Sequence, residues 1–265
     1  MSSELSAERG ELSEDAVLDG RLVLRQPRRG HRFGHDAILL AAATPARAGE
    51  RAADLGAGVG AAGLALARRV DGVAVTLIER DPMLSELGRE NAERNGFAVR
   101  VRAFCLDVAA PAAAFAAAGL APESLDHVLM NPPFNAPHNP SPDPGRSAAH
   151  TASDDTLAQW LDTAARLLHP AGTVTLIWRA DGLGAVLDAL GAGFGAIAVM
   201  PIHPKPGAAA IRVLVRAIKA RSGPLVLLPG LVLADTDGRP TREAEAVLRA
   251  NESLPWAAPA AAGSR

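Results

Sequence analysis

Residues 131–134 read Asn-Pro-Pro-Phe, and they carry the groups in this chain best suited to hold a flat molecule that bears an NH₂ group. The amide oxygen of Asn131 can accept a hydrogen bond from that group. Pro132 and Pro133 stiffen the backbone, and the ring of Phe134 offers a stacking face. The apolar residues 125–130, just before, predict a buried strand. Because ligands bind at the carboxyl ends of strands in open α/β sheets, this position favours a site over an ordinary proline-rich turn.

A glycine-rich turn at residues 56–60 lies between a predicted strand and a predicted helix. Gly56, Gly58 and Gly60 allow positive φ angles and close approach of a ligand to the backbone. Residues 58–63 also fit the dinucleotide fingerprint formally, but Asp54, just before the turn, would face the pyrophosphate of such a ligand. A carboxylate there suits a cationic ligand, such as one with an ammonium and a sulfonium.

Two further carboxylates follow predicted strands. Glu79 closes the second strand about 20 residues beyond the glycine turn, the spacing at which a carboxylate reaches the two hydroxyls of a ribose. Asp107 follows the third strand and could accept from an adenine amino group. Each of these acids alone could be a helix N-cap or a solvated strand end. Together with Asp54 they end consecutive strands, which predicts one site at one edge of the sheet.

Strands and helices that alternate from about residue 51 predict a parallel sheet flanked by helices. The predicted strands are 51–55, 73–79, 99–105, 125–130, 172–178, 195–201 and 211–217. The predicted helices are 60–70, 82–95, 111–118, 153–168 and 181–191. Upstream, residues 18–24 predict a hairpin with Gly20 at its turn, and residues 36–43 predict a helix; a further helix is predicted at 242–250.

Composition limits the class of protein. The chain has 265 residues, of which 48% are hydrophobic and 21% charged, values typical of a soluble globular protein. No apolar run reaches the roughly 18 residues that a membrane span needs, and the polar start lacks a secretory signal, so we expect a cytoplasmic protein. The single cysteine, Cys105, excludes an intramolecular disulfide, and we expect it to be a small core residue. We expect no metal site.

A basic segment lies near the N-terminus, although the formal net charge of −2 gives no support for nucleic-acid binding. A local patch can be hidden by the overall charge, and this segment is either a solvated face or a phosphate-binding surface. Its basic residues are Arg25, Arg28, Arg29, His31, Arg32 and His35. His203 and Lys205 are candidates for a second phosphate contact.

The glycine turn, the three acids and the Asn-Pro-Pro-Phe motif together resemble the S-adenosylmethionine-dependent methyltransferases that carry an Asn-Pro-Pro-aromatic motif. The flanks at 26–36 and 230–238, which read QPRRGHRFGHD and GLVLADTDG, resemble the branch that methylates N6 of an adenine in the tRNA anticodon loop. The resemblance implies a class I methyltransferase fold: α/β and Rossmann-like, with a seven-stranded, mostly parallel sheet and helices on both faces. A hairpin-and-helix extension over residues 1–46 would precede a methyltransferase domain over 47–257.

The resemblance also implies roles for individual residues. S-adenosyl-L-methionine would lie against Gly56, Gly58 and Gly60, with Glu79 on its ribose and Asp107 near its adenine. Asp36 and residues 26–33, the entrance segment, would line the opening for cofactor and target. The full cofactor set is Asp36, Asp54, Gly56, Gly58, Gly60, Glu79, Asp107 and Asn131; the catalytic set is Asn131, Pro132 and Phe134; the substrate set is Arg28, Arg29, Arg32, Pro133, Phe134 and Lys205. Two departures stand out: Phe134 replaces the frequent Tyr, and residues 136–147 are proline-rich.

We therefore expect methyl transfer to an exocyclic or amide nitrogen, with RNA, and tRNA above all, as the partner. A protein glutamine amide or guanine N2 of rRNA presents a similar planar NH₂ group, so these acceptors stay open. More distant alternatives are a nicotinamide-dependent oxidoreductase that uses Gly58–Gly63 and a fold that only binds RNA. The oligomeric state is open.

Overall fold

The computed structural model describes residues 11–29, 32–133 and 154–256. The strands are β1 (Leu12–Val17), β2 (Leu22–Pro27), β3 (Arg51–Leu55), β4 (Ala74–Glu79), β5 (Val101–Cys105), β6 (Leu125–Met130), β7 (Leu168–Arg179), β8 (Phe194–His203), β9 (Arg212–Lys219), β10 (Val226–Leu227) and β11 (Leu231–Val232). The helices are α1 (His35–Ala43), α2 (Ala61–Arg69), α3 (Pro82–Arg94), α4 (Ala112–Ala117), α5 (Asp154–Leu167), α6 (Leu183–Leu190) and α7 (Arg242–Leu248).

The central sheet confirms the predicted α/β fold. Its order is β8-β9-β7-β6-β3-β4-β5, and β9 is the strand that runs antiparallel to its neighbours β7 and β8. The seven predicted strands are all present, with ends that differ by a few residues from the prediction. Two strands of two residues each, β10 and β11, were not predicted; both pair with β8 and bring the sheet to nine strands.

Helices cover both faces of the sheet because consecutive side chains of a strand point to opposite sides. Leu77 joins the hydrophobic cluster that contains α1, α2, α3 and α7, whereas its neighbour Ile78 joins the cluster that contains α4 and α5. Both side chains are fully buried. Strands that are apolar on both faces therefore form the centre of the molecule, as the apolar runs in the sequence predicted. None of the described helices has the length and apolar character that crossing a membrane requires.

The N-terminal hairpin is longer than predicted. β1 and β2 pair antiparallel from Leu12↔Pro27 to Val17↔Leu22, so the hairpin begins before residue 18. Leu22 and Leu24 are fully buried in the same cluster as α1 and α2. The hairpin thus packs on the body of the fold and does not stand apart from it.

Cys105 is not a core residue, and that prediction was wrong. The side chain is exposed and its Sγ lies 3.5 Å from the backbone oxygen of Arg80. The reason is its position, since it is the last residue of β5 and β5 is the outermost strand on its side of the sheet. The apolar run that contains Cys105 ends at the rim of the sheet.

Two helical glycines are expected to respond to alanine in opposite directions. A Cβ on Gly63 in α2 would lie 2.4 Å from Leu77 Cδ2 and 3.1 Å from Val75 Cγ1, so Gly63→Ala should destabilise the protein by about 1–3 kcal/mol through overpacking. Gly184 in α6 has open space at the same position, and Gly184→Ala should stabilise by up to about 1 kcal/mol. Urea unfolding of both variants measures this; equal effects would contradict the tight contact between α2 and β4.

Candidate functional site

The register of the parallel strands brings residues that are distant in sequence to one edge. Met130, Leu55 and Ile78 occupy one row across β6, β3 and β4. The residues that follow them in the chain are Asn131, Gly56 and Glu79. Because adjacent strands lie about 4.8 Å apart, the backbones of Asn131 and Glu79 are about 10 Å apart, with the glycine loop between them. The predicted convergence of these residues at one edge is therefore present in the fold.

The glycine loop (residues 56–60) is anchored on the neighbouring strand. The backbone N–H groups of Gly56 and Ala57 both donate to the carbonyl of Ile78, at 2.9 and 3.0 Å. Gly56 has a φ of +71°, and a Cβ at this position would lie 2.3 Å from Cη2 of Trp160. Both the backbone angle and the indole therefore require glycine there.

Trp160 is a site-adjacent residue that sequence reasoning missed. It lies on α5, which follows the Asn-Pro-Pro-Phe segment in the chain, and its partly buried indole packs against the loop at Gly56. An aromatic residue at a helical position is usually a core residue, so its type and spacing gave no signal. Only the packing of α5 on the sheet reveals the contact.

Glu79 holds the loop from the carboxyl end of β4. Its Oε2 accepts from the backbone N–H of Gly58 at 2.8 Å, and its Oε1 accepts from that of Asp81 at 2.9 Å. The side chain is half-buried. Each carboxylate oxygen has a second acceptor position, so these two bonds are compatible with a further bond to a ligand hydroxyl. Its contact with a ribose stays a prediction.

Asp54 lies beneath the loop and is only 2% exposed. Its Oδ2 accepts from the backbone N–H of Gly63 in the first turn of α2, at 2.8 Å. Burial raises the pKa of this carboxyl from 3.8 to about 7; the Gly63 N–H opposes the increase and the negative charge of Glu79 adds to it. The helix N-terminus that would bind a pyrophosphate is thus already served by a carboxylate, which disfavours a dinucleotide ligand.

Asn131 has an unsatisfied acceptor. Its Oδ1 is buried and has no hydrogen-bond donor within the described part of the chain. Pro132 is buried and Pro133 is exposed, while Phe134 lies outside the described residues. Leaving a buried acceptor without a partner costs about 1–3 kcal/mol, so this oxygen needs a donor from outside the described residues. An NH₂ group of a bound molecule would supply it.

The predicted entrance residues are held by specific contacts. Oδ2 of Asp36 accepts from Nε of Arg212 at 2.8 Å, which ties the start of α1 to the start of β9. The side chain of Gln26 is 2% exposed, donates to Asp15 at 2.8 Å and accepts from the backbone N–H of Phe33 at 3.1 Å. Gln26 therefore fixes the end of the entrance segment to the hairpin. Contact of Asp36 with a cofactor stays a prediction.

Acidic side chains in β1, and Glu11 just before it, pair with three of the four arginines of the basic segment. Arg25 pairs with Glu14 and Arg28 with Glu11, each at a nitrogen–oxygen distance of 3.8 Å. Arg32 pairs with Asp15 at 3.1 Å. By contrast, Arg29 and Lys205 are exposed and make no side-chain hydrogen bond or ion pair within the described ranges. His31 lies outside these ranges. The basic charge that is free to meet a phosphate is therefore smaller than the sequence indicated.

Asp107 follows β5 at the same edge and is exposed. Its Oδ1 accepts from the backbone N–H of Ala109 at 2.8 Å, which closes a turn after the strand; the residue is exposed at a strand end and does not cap α4. An approach to adenine stays a prediction. Within residues 11–29, 32–133 and 154–256 no cluster of three or more His, Cys, Asp or Glu side chains could hold a metal ion.

A cleft of about 610 Å³ lies elsewhere, between the hairpin and α7. Arg32, Phe33 and His35 contribute to its wall, but Gly58, Glu79 and Asn131 do not. The groups with the clearest chemistry lie at the open edge of the sheet, which we take as the candidate site.

Comparison with known proteins identifies a family. Residues 32–181 match the model of the family described as "Methyltransferase small domain". A protein of Tolumonas auensis named tRNA1(Val) (adenine(37)-N6)-methyltransferase is 31% identical over 154 residues, which are 57% of this chain and 61% of that protein. A protein of Actinobacillus succinogenes with the same name is 29% identical over 202 residues, 76% of this chain and 82% of its own. The match thus spans less than two thirds of the Tolumonas protein.

A solved structure supports the fold. A crystal structure of a predicted O-methyltransferase from Agrobacterium tumefaciens superimposes with a TM-score of 0.70 at 31% identity. The superposition covers 83% of this chain and 98% of that one. The similarity includes most of the described elements and is not restricted to the motif region.

The burial of Asp54 predicts a pH effect on stability. Its raised pKa means that the folded state binds a proton more tightly than the unfolded state, so this residue's stabilising contribution is complete below about pH 4 and is lost as pH rises through about 7. The interval between 3.8 and about 7 corresponds to roughly 4 kcal/mol at most. Asp54→Asn keeps an acceptor for Gly63 but cannot ionise.

Denaturant unfolding of both proteins from pH 4.5 to 8 checks this. The free energy of unfolding of Asp54→Asn should rise relative to wild type as pH increases, and other titrating groups cancel in the difference. A difference that does not vary with pH would contradict the buried position of the carboxyl.

Proposed function

The chain belongs to the methyltransferase small domain family, and on this basis we propose that it transfers a methyl group from S-adenosyl-L-methionine to the exocyclic N6 of an adenine in tRNA. The observation that carries the proposal is the buried Oδ1 of Asn131 beside the glycine loop, which has no hydrogen-bond donor among the described residues. The names of the Tolumonas and Actinobacillus relatives support adenine as the acceptor base.

The residues at the edge fit the methyl donor. Gly56, Gly58 and Gly60 all have positive φ angles and present a backbone without side chains. Glu79, fixed by its bond to Gly58, offers carboxylate oxygens to the ribose hydroxyls. Glu79 adds negative charge beside the loop, and Asp54, whose pKa is raised to about 7, adds part of a charge beneath it at neutral pH. Both suit a molecule with an ammonium and a sulfonium.

The acceptor nitrogen must be made nucleophilic, because its lone pair is delocalised into the ring. The donor supplies an electrophilic methyl group on a sulfonium. The amino group donates one hydrogen bond to Oδ1 of Asn131 and the other to a proline backbone carbonyl next to it. These bonds draw the lone pair out of conjugation and aim it at the methyl group. The N–C bond would form as the S–C bond breaks, with a neutral thioether as the leaving group. The extra proton becomes acidic only when the nitrogen has been alkylated and then passes to water, so no strong base is needed beforehand.

Two acceptors favour an amino group over a hydroxyl, which has a single proton to donate. This distinguishes the proposed reaction from the O-methyl transfer named for the Agrobacterium structure. Catalysis then rests on positioning and on preorganised dipoles, which supply several kcal/mol in water-excluded sites.

A protein glutamine amide is the second candidate acceptor. The observation in its favour is the pairing of Arg25, Arg28 and Arg32 with acids, which weakens the basic surface expected of an RNA-binding face. Arg29 and Lys205 remain for phosphate contacts, and a loop adenine is the base whose unstacking costs least. Guanine N2 of rRNA fits the same acceptor geometry.

Asn131→Ala should lower turnover by about 10²-fold or more, because it removes a preorganised acceptor of the reacting group. Affinity for S-adenosyl-L-methionine should stay within about threefold of wild type, and thermal stability should be equal or higher because an unsatisfied buried acceptor disappears. Calorimetric titration, turnover and thermal unfolding measure the three quantities. An equal loss of affinity and turnover would contradict the role of Asn131.

The acceptor itself is tested by transfer of radiolabelled methyl groups to tRNA and to total protein from cells that lack the gene, which provide unmodified acceptors. We expect label in tRNA, and N6-methyladenosine after digestion to nucleosides. The Asn131→Ala variant, purified in the same way, is the control for contaminating methyltransferases. Label in protein glutamine, in 2-methylguanosine or on an oxygen would refute the adenine assignment while leaving methyl transfer intact.

A further inference from the structure

One face of α3 is in contact with both the glycine loop and the hairpin. Its inward residues Ser85, Gly88 and Asn91 are buried and spaced by three, as one face of a helix requires. A Cβ on Gly88 would lie 3.6 Å from the carbonyl oxygen of Gly58, so the helix lies within van der Waals reach of the loop. The side chain of Asn91, one turn further on, reaches past the loop to β2.

Asn91 makes three hydrogen bonds to two separate backbone segments. Its Oδ1 accepts from the N–H of Arg25 at 2.8 Å, and its Nδ2 donates to the carbonyl of Arg25 at 3.0 Å. The same Nδ2 donates to the carbonyl of Val59 in the glycine loop, also at 3.0 Å. The residue is 0% exposed, so water does not replace any of these bonds.

Asn95 makes the equivalent bonds to β2 but none to the loop. Its Oδ1 accepts from the N–H of Val23 at 2.9 Å, and its Nδ2 donates to the carbonyl of Val23 at 2.8 Å. Four residues along a helix advance about 6 Å, and two residues along a strand advance about 6.6 Å. The spacing Asn-x-x-x-Asn therefore matches alternate residues of β2.

We propose that Asn91 is a positioning residue that couples the N-terminal hairpin to the glycine loop, so that the segment that holds the entrance and the loop that holds the cofactor form one mechanical unit. The identity of the cofactor rests on the proposed function. The amide suits this role because it offers a donor and an acceptor in peptide-like geometry, and its second N–H reaches Val59. Aspartate would place an oxygen against the Val59 carbonyl, and leucine would leave three buried backbone groups unsatisfied.

The coupling can be measured from either of the two sites. β2 leads directly into the entrance segment, where Gln26 holds Phe33. An acceptor that binds this segment would further stabilise the loop through Asn91, and a cofactor that binds the loop would in turn stabilise β2. Reciprocity of this kind is required of any thermodynamic coupling between two sites.

The test compares Asn91→Ala with Asn95→Ala, a control that removes the same pair of bonds to β2, together with a bond of 2.8 Å from Asn95 Nδ2 to the Asn91 carbonyl within the helix, and leaves the loop untouched. Both variants should lose stability in thermal unfolding. Only Asn91→Ala should weaken binding of S-adenosyl-L-methionine in calorimetric titration, by roughly fivefold or more, the effect of one lost hydrogen bond. Asn95→Ala should stay within about twofold of wild type.

A second measurement uses only the wild-type protein and does not depend on whether a variant folds. In wild-type protein, saturation with S-adenosyl-L-homocysteine should slow amide hydrogen exchange at Arg25 several-fold, although Arg25 lies in the hairpin. Equal affinities of the two alanine variants, or an Arg25 amide that does not respond to the ligand, would overturn the coupling while the proposed function stands. Failure of the wild-type protein to bind either ligand would instead overturn the proposed function, and the coupling with it.

Discussion

The backbone of the glycine loop is held at the edge of the sheet by bonds from three directions, and the rest of the site depends on this. The Ile78 carbonyl receives two of its N–H groups, the Glu79 carboxylate receives a third, and the Asn91 amide binds one of its carbonyls. Glycines with positive φ are conformationally free in an unfolded chain, so such a loop is costly to order. The surrounding strands and α3 fix it before a ligand arrives, which is the preorganisation that tight binding needs.

Among the side-chain acceptors at the strand ends of the site, one lacks a hydrogen-bond donor from the described residues. Glu79, Asp54 and Asp107 each accept from a backbone N–H of the fold, whereas the buried Oδ1 of Asn131 has no donor among the described residues. Under the proposed function, an amino group of the bound acceptor donates to that oxygen and completes the site.

The sequence predicted the architecture well because its strongest signals are local. Apolar runs and the helices between them identified all seven main strands, and parallel register then brought Asn131, Gly56 and Glu79 to one edge. The features that were predicted wrongly or not at all depend on tertiary packing between elements. Cys105 lies in an apolar run but at the rim of an outer strand, and Trp160 reaches Gly56 only through the packing of α5. The partners of the basic segment could not be predicted either, since β1 was not recognised as a strand.

The bonds from α3 to β2 also bear on how the hairpin behaves toward other molecules. A two-stranded hairpin is marginally stable alone, and the unpaired side of a strand can recruit another chain by edge-to-edge pairing. Here the outward-facing N–H and C=O groups of Val23 and Arg25 are occupied by side-chain amides. Helix α3 thus takes the place of a third strand. At Val23 and Arg25 it covers the edge of β2, through which copies of the protein could otherwise aggregate.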